Sequence, residues 1–148
     1  MASEPPEIKL KPIGAVRSGI KEREKGHTAQ ATATIEIDEN LMEALDNLDE
    51  FSHIIVIYYM HKSHQPAPLK VYPRHHAHPH LVGVFASRSP DRPNPIGKST
   101  VRLLKREGNI LTVEGLDAID GTPVLDIKPY IPGLDSAAKA VAPSWTKH

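Results

Sequence analysis

Two arginines stand in a stretch that three prolines stiffen: Arg88-Ser89-Pro90-Asp91-Arg92-Pro93-Asn94-Pro95. Each proline fixes its own φ and removes a backbone donor, and the residue before it is pushed towards extended geometry. Such a segment is a rigid loop rather than a helix or a central strand. A guanidinium on a rigid mount loses less entropy when it grips a carboxylate or a phosphate in bidentate fashion. Arg88 and Arg92 are therefore candidate anion-binding groups; the plainer reading is a turn whose arginines pair with surface acids.

A second stretch, Leu116-Asp117-Ala118-Ile119-Asp120-Gly121-Thr122-Pro123, puts two carboxylates beside an Asp-Gly turn signal. Carboxylates at a strand end can accept hydrogen bonds from ribose hydroxyls or an amino group, or they can serve only the turn and an ion pair. Asp126, inside the following apolar run, must be paired, with Lys128 or an arginine as partner, or face a cavity. His61 and Lys62 follow the apolar run at residues 54–60, where binding groups often project; a lone histidine there is more often structural. Residues 74–80, Arg-His-His-Ala-His-Pro-His, place His76, His78 and His80 on one face if extended. Three imidazoles can hold a catalytic zinc, but no carboxylate lies nearby in sequence to orient them, and no metal is expected. Phosphate-loop, zinc-protease and dinucleotide-binding fingerprints are absent from the sequence.

The charge around these residues is segregated. The whole chain is formally neutral, with 18 basic and 18 acidic residues, yet residues 36–61 hold seven carboxylates and no lysine or arginine. Residues 61–106 hold nine lysines or arginines, six histidines and one acid, Asp91. Such a distribution can create a positive field facing a polyanion. Without cysteine there is no disulfide and no cysteine-ligated metal. The first seven residues lack the apolar core of a secretory signal, and the longest apolar run is too short to cross a bilayer. A soluble, cytoplasmic protein is expected.

The elements that must carry these groups read mostly as strands. Residues 29–38 alternate, with Ala31, Ala33, Ile35 and Ile37 on one side. Further strands are expected at residues 8–17, 54–59, 81–86, 99–105, 110–116 and 124–127, with a hairpin at Glu107-Gly108-Asn109. Asp38 or Asn40 should cap a short helix ending at Asp46. Fourteen prolines and nine glycines punctuate these runs. The expectation is an all-β fold, a β-barrel with small helical additions. A chain of 148 residues fits one domain, with an ordered core over about residues 7–134 and a weakly patterned tail over 135–148.

Four stretches resemble the TsaA-like (TrmO) family: Pro12-Ile13-Gly14-Ala15-Val16-Arg17-Ser18, residues 48–61, residues 82–99 (Val-Gly-Val-Phe-Ala-Ser-Arg-Ser-Pro-Asp-Arg-Pro-Asn-Pro-Ile-Gly-Lys-Ser) and residues 116–130. They come in family order and span nearly the whole globular part. The resemblance implies a compact barrel that binds S-adenosylmethionine outside the Rossmann design and assembles as a homodimer. It also implies N6-methylation of threonylcarbamoyladenosine at tRNA position 37, with the anticodon stem-loop as partner. Cofactor contacts are implied at Gly26, His27, His61, Lys62, Arg88, Lys98, Asp117, Ala118, Ile119 and Asp120. For the transfer itself, Arg92 joins Arg88 as a candidate for holding the cofactor carboxylate or an RNA phosphate. Asn94, with the Pro95 carbonyl, is a candidate acceptor for the N6–H bonds. Gly19 stands where the family usually has proline, and Lys98 where it has leucine or methionine. Bacterial members carry a further C-terminal domain, so tRNA contact is expected here from the barrel, the dimer or the His/Arg loop. Other acceptors, or cofactor binding without catalysis, stay open on these residues.

Overall fold

The computed structural model describes residues 4–19, 31–73 and 80–146. Six strands close into an antiparallel barrel: β1 (Gly14–Arg17), β2 (Thr32–Ile37), β3 (His53–Tyr59), β6 (Ile96–Glu107), β7 (Ile110–Glu114) and β8 (Pro123–Pro129), in the order β1-β2-β7-β6-β3-β8. A separate two-stranded ribbon pairs β4 (Lys70–Val71) with β5 (Val82–Gly83).

Alternation decides which side chains fill the barrel. Ala33, Ile35 and Ile37 of β2 point inward, joined by Val16, Ile54, Val56, Val101, Leu111, Val113 and Val124. Burying a side chain such as Ile35 or Leu111 contributes about 1.5–3 kcal/mol, and both are fully buried. The β6–β7 hairpin turns at Gly108, whose φ of 61° suits glycine. The side-chain amide of Asn109 donates to the Ile37 carbonyl at 2.7 Å, tying the hairpin to β2.

Several expected elements differ in kind or extent. Residues 39–45 form a 3-10 helix rather than an α-helix; Asp38 sits at its N-cap but makes no side-chain cap bond. Within it Leu45 is buried while Leu41 is 37% exposed. The strand expected at residues 8–17 begins only at Gly14, because Pro12 cannot donate to a ladder. The strand expected at 81–86 stops at Gly83 and turns into a 3-10 helix, Val84–Ala86. There the Ser87 hydroxyl donates back to the Val84 carbonyl at 2.8 Å, a local bond that competes with strand pairing. The strands expected at 99–105 and 124–127 are longer at both ends, Ile96–Glu107 and Pro123–Pro129. Among the described residues no helix is long and apolar enough to cross a membrane.

Candidate functional site

Strand registers sort the connections by barrel end. Arg17 closing β1, Thr32 opening β2, Tyr59 closing β3, Ile96 opening β6, Glu114 closing β7 and Pro123 opening β8 all lie at one end. The connection from β3 to β6 carries His61, Lys62, Arg88, Arg92 and Asn94, and that from β7 to β8 carries Asp117, Ala118, Ile119 and Asp120. Closure of the barrel thus gathers segments far apart in sequence. Gly26 and His27, in the connection from β1 to β2, lie outside the described residues, as do the histidines at 75, 76 and 78.

Tyr58 joins these connections from below. Its side chain faces the interior at the end of β3 and is 6% exposed. The phenol oxygen lies 2.9 Å from Ser99 Oγ and donates to the Asp117 carbonyl at 3.3 Å. Gly97 pairs with Tyr58 across β3 and β6. A β-carbon at Gly97 would lie 2.4 Å from the Tyr58 ring, so only glycine lets the ring lie flat there. Burial pushes the phenol pKa above its ordinary value; the Ser99 hydrogen bond opposes the rise, the Asp117 charge adds to it, and the Arg88 charge opposes it. Arg88 and Asp117 therefore both act electrostatically on one hydroxyl. Both are exposed, and no hydrogen bond within the chain holds the Arg88 guanidinium among the described residues.

The proline-braced loop is locked by its own side chains. Arg92 Nη1 donates to the Ser87 carbonyl at 3.0 Å and the Ser89 carbonyl at 3.1 Å. Asp91 Oδ1 accepts the His64 amide at 2.6 Å, and its Oδ2 lies 3.4 Å from His64 Nδ1. The Gln65 side chain donates to the Arg92 carbonyl at 3.1 Å. The loop that carries Arg88 is thereby stapled to the loop that carries His61 and Lys62. Arg92 spends at least one nitrogen as a clasp of the loop, a different use from the anion grip expected of it.

Two further expected groups lie as follows. The Pro95 carbonyl already accepts the Met60 amide at 2.7 Å, and Pro95 is buried. It thereby helps to close the barrel end, whereas Asn94 beside it is exposed. Lys98 pairs with Ile57 in the ladder and lies on the outer face of β6, opposite to Gly97 and Ser99, which face inward with Tyr58.

The β7–β8 connection is held firmly. Asp120 Oδ1 accepts the Ser18 amide at 3.0 Å, and Ser18 Oγ donates to the Ala118 carbonyl at 3.0 Å. Gly121 N–H donates to the Val16 carbonyl and Val16 N–H to the Thr122 carbonyl. Leu116 and Ala118 are buried, so between them Asp117 projects outward, and Ala118 has mainly its backbone to offer. A cleft of about 380 Å³ runs past Arg17, Ser18, Thr32, Thr34 and Asp120; Arg88 and Asp117 do not line it and face open surface. Asp126 pairs with Lys128 at 2.9 Å on the outer surface, as one of its two expected environments required. Among the described residues no group of three or more candidate ligands could hold a metal.

Residues 19–136 match the family described as tRNA-methyltransferase O N-terminal domain. The chain belongs to the TrmO family. It is 47% identical over 134 residues to a probable S-adenosyl-L-methionine-binding protein of Pyrococcus abyssi, covering 86% of this chain and 71% of that one. It is 41% identical over 123 residues to the mouse tRNA (adenine(37)-N6)-methyltransferase, covering 77% of this chain and 27% of that one. A crystal structure of TrmO from Pseudomonas aeruginosa superposes with a TM-score of 0.77 at 33% identity, covering 97% of this chain and 64% of that one. The chain thus spans a little under two thirds of the solved TrmO chain and about a quarter of the mouse enzyme.

The TrmO-family barrel brings together His61, Lys62, Arg88, Ile119 and the two aspartates at one end, and leaves Lys98 on the outer wall. Sequence reading missed Tyr58. A tyrosine inside a buried strand needs a partner for its hydroxyl, and that requirement was the available signal. It also missed Asp91, visible only as the lone acid of a basic stretch.

Proposed function

We propose that this TrmO-family chain binds S-adenosylmethionine at the Arg88–Asp117 end of the barrel and methylates N6 of threonylcarbamoyladenosine at tRNA position 37. The observation that carries the reading is Arg88: an exposed guanidinium without a hydrogen bond among the described residues, on a loop whose Arg92 and Asp91 are spent on rigidity. The residues suit the cofactor's chemistry. A planar guanidinium matches a carboxylate, and the Asp117 and Asp120 carboxylates match hydroxyl and ammonium donors. S-adenosylmethionine supplies a methyl group already activated by its sulfonium, so positioning and fixed dipoles are what the chain must add.

In this reading Tyr58 and Ser99 hold the Asp117 backbone, Arg92 and Asp91 hold the loop, and Arg88 holds the anion. The exposed Asn94 amide oxygen accepts an N–H of the acceptor amine and orients its lone pair. The basic residues between 62 and 106 meet the RNA backbone, and two copies assemble as a homodimer. The test is methyl transfer from labelled cofactor into tRNA bearing threonylcarbamoyladenosine, with mass spectrometry of the nucleosides. Loss of a charge-assisted contact in Arg88→Ala should weaken cofactor binding by about 1.5–3 kcal/mol. Unchanged calorimetric affinity in that variant removes Arg88 from the site. Cofactor binding without transfer to any RNA makes the chain a binding module instead.

A further inference from the structure

The cleft of about 380 Å³ beside Asp120 has a polar wall that the cofactor reading leaves unused. Ladder register builds it. Arg17 pairs with Thr34 across β1 and β2, and Thr34 with Thr112 across β2 and β7. Ala33, Ile35, Leu111 and Val113 belong to the core, so the alternating Thr34 and Thr112 point outward, in one row with Arg17. Side chains opposite each other in such a ladder stand about 5 Å apart. Thr32, two residues before Thr34, adds a third hydroxyl to the same face. Among the described residues no hydrogen bond takes up these three hydroxyls. The Arg17 guanidinium meets only Glu36 there, at 3.9 Å, with both side chains more than half exposed. An exposed pair of that length is weak, which leaves the guanidinium open to another carboxylate. The cleft also adjoins the cofactor end. Asp120 lines it, Asp120 Oδ1 accepts the Ser18 amide and Ser18 Oγ donates to the Ala118 carbonyl, both at 3.0 Å. Arg17 is thus fixed one residue from a tether to the segment that carries Asp117.

We infer that this cleft reads the threonyl arm of the acceptor base, with Arg17 taking its carboxylate and Thr34 and Thr112 its hydroxyl. The inference rests on the acceptor proposed above and adds the residues that distinguish it from plain adenosine. The chemistry matches group by group. The threonylcarbamoyl arm carries one carboxylate, one hydroxyl and a urea N–H. A guanidinium fork suits the first, and hydroxyls, which both donate and accept, suit the second. Asp120 repels a carboxylate, so the arm enters with its acid towards Arg17 and its N–H side towards Asp120. The reach agrees as well. Five bonds separate the methyl-accepting nitrogen from a carboxylate oxygen, about 6 Å when extended. One hydrogen bond adds about 2.9 Å, so the guanidinium must lie within about 9 Å of the reacting nitrogen. The Ser18 bond to the carbonyl of Ala118, the neighbour of Asp117, sets a separation of that order. Arg17 is a specificity residue in this arrangement and takes no part in the transfer itself.

The test measures fluorescence anisotropy of anticodon stem-loop RNAs with the full chain. One RNA carries threonylcarbamoyladenosine, a second the methyl ester of its carboxylate, and a third plain adenosine. The parent should bind the first roughly tenfold or more tighter than the other two, as a charge-assisted contact requires. Arg17→Ala should bind all three alike, at the parent's affinity for plain adenosine, and Arg17→Lys should recover part of the preference. Calorimetry with S-adenosylmethionine should give Arg17→Ala the parent's affinity. A parent without the preference, including one that binds none of the RNAs, overturns the inference. So does an Arg17→Ala variant that keeps the preference, whether or not its affinity for all three falls. If the preference depends on Arg17 while the parent transfers no methyl group, the arm is read here and the methyltransferase reading fails. If the parent methylates the modified RNA and Arg17→Ala does so with the same KM, the methyltransferase reading holds and the inference is overturned.

Discussion

Replacing Tyr58 with phenylalanine removes one oxygen and leaves the ring in place beside Gly97. That oxygen bonds Ser99 Oγ at 2.9 Å and the Asp117 carbonyl at 3.3 Å. The first bond is well formed and the second is long, so the pair counts as rather less than two full bonds. With a typical net contribution of 0.5–1.5 kcal/mol each, the expected loss of stability is about 1–2 kcal/mol. For a chain of this size that lowers the melting temperature by roughly 3–6 °C. The second consequence is functional. Asp117 is exposed and its backbone leans on the phenol, so without that support its carboxylate should grip the cofactor less well, by about tenfold, near 1.4 kcal/mol. Thermal unfolding followed by circular dichroism reads the first effect, and calorimetry with S-adenosylmethionine reads the second. The parent protein offers an independent check through its pH dependence. Because burial raises the Tyr58 pKa in the folded state above the ordinary value of 10.0, the folded chain holds the phenolic proton more tightly than the unfolded chain. The associated stability is complete below pH 10 and is lost as pH climbs through the folded-state value. Tyr58→Phe should therefore flatten the alkaline decline. A variant with the parent's melting temperature, cofactor affinity and alkaline profile would refute the role given to this hydroxyl.

Two other substitutions follow from the same geometry. Gly97→Ala would drive a β-carbon to 2.4 Å from the Tyr58 ring; it should cost about 1–3 kcal/mol as an overpacked site, seen as a lower urea midpoint with an unchanged slope. Arg92→Ala removes two clasps on the Ser87 and Ser89 carbonyls. It should weaken cofactor binding through disorder of the loop with a loss of about 1–2 kcal/mol, and proteolysis within residues 87–92 should become faster.

The barrel was legible in the sequence because alternation is a local property. Ala33, Ile35 and Ile37 can share one face only if residues 32–37 are extended, and prolines and glycines mark where such runs must stop. The Pro90, Pro93 and Pro95 loop was legible for the same reason, since proline constrains the backbone wherever it stands. Helix type was not: Leu41, Leu45 and Leu48 have helical spacing, and only contact with the barrel selects a 3-10 turn that buries Leu45 and leaves Leu41 out. Nor was the strand end at Gly83, where a serine hydroxyl four residues on competes for a backbone carbonyl. Tertiary structure alone decided which charged groups meet. Barrel closure sets Arg88 and Asp117 around Tyr58, spends Arg92 and Asp91 on holding loops, and turns Lys98 to the outer wall. Sequence specifies the period and the breaks of each strand because both depend on neighbouring residues; which side chains end up within a few ångströms of one another depends on ladder registers between strands some forty residues apart, as Tyr58 and Ser99 are.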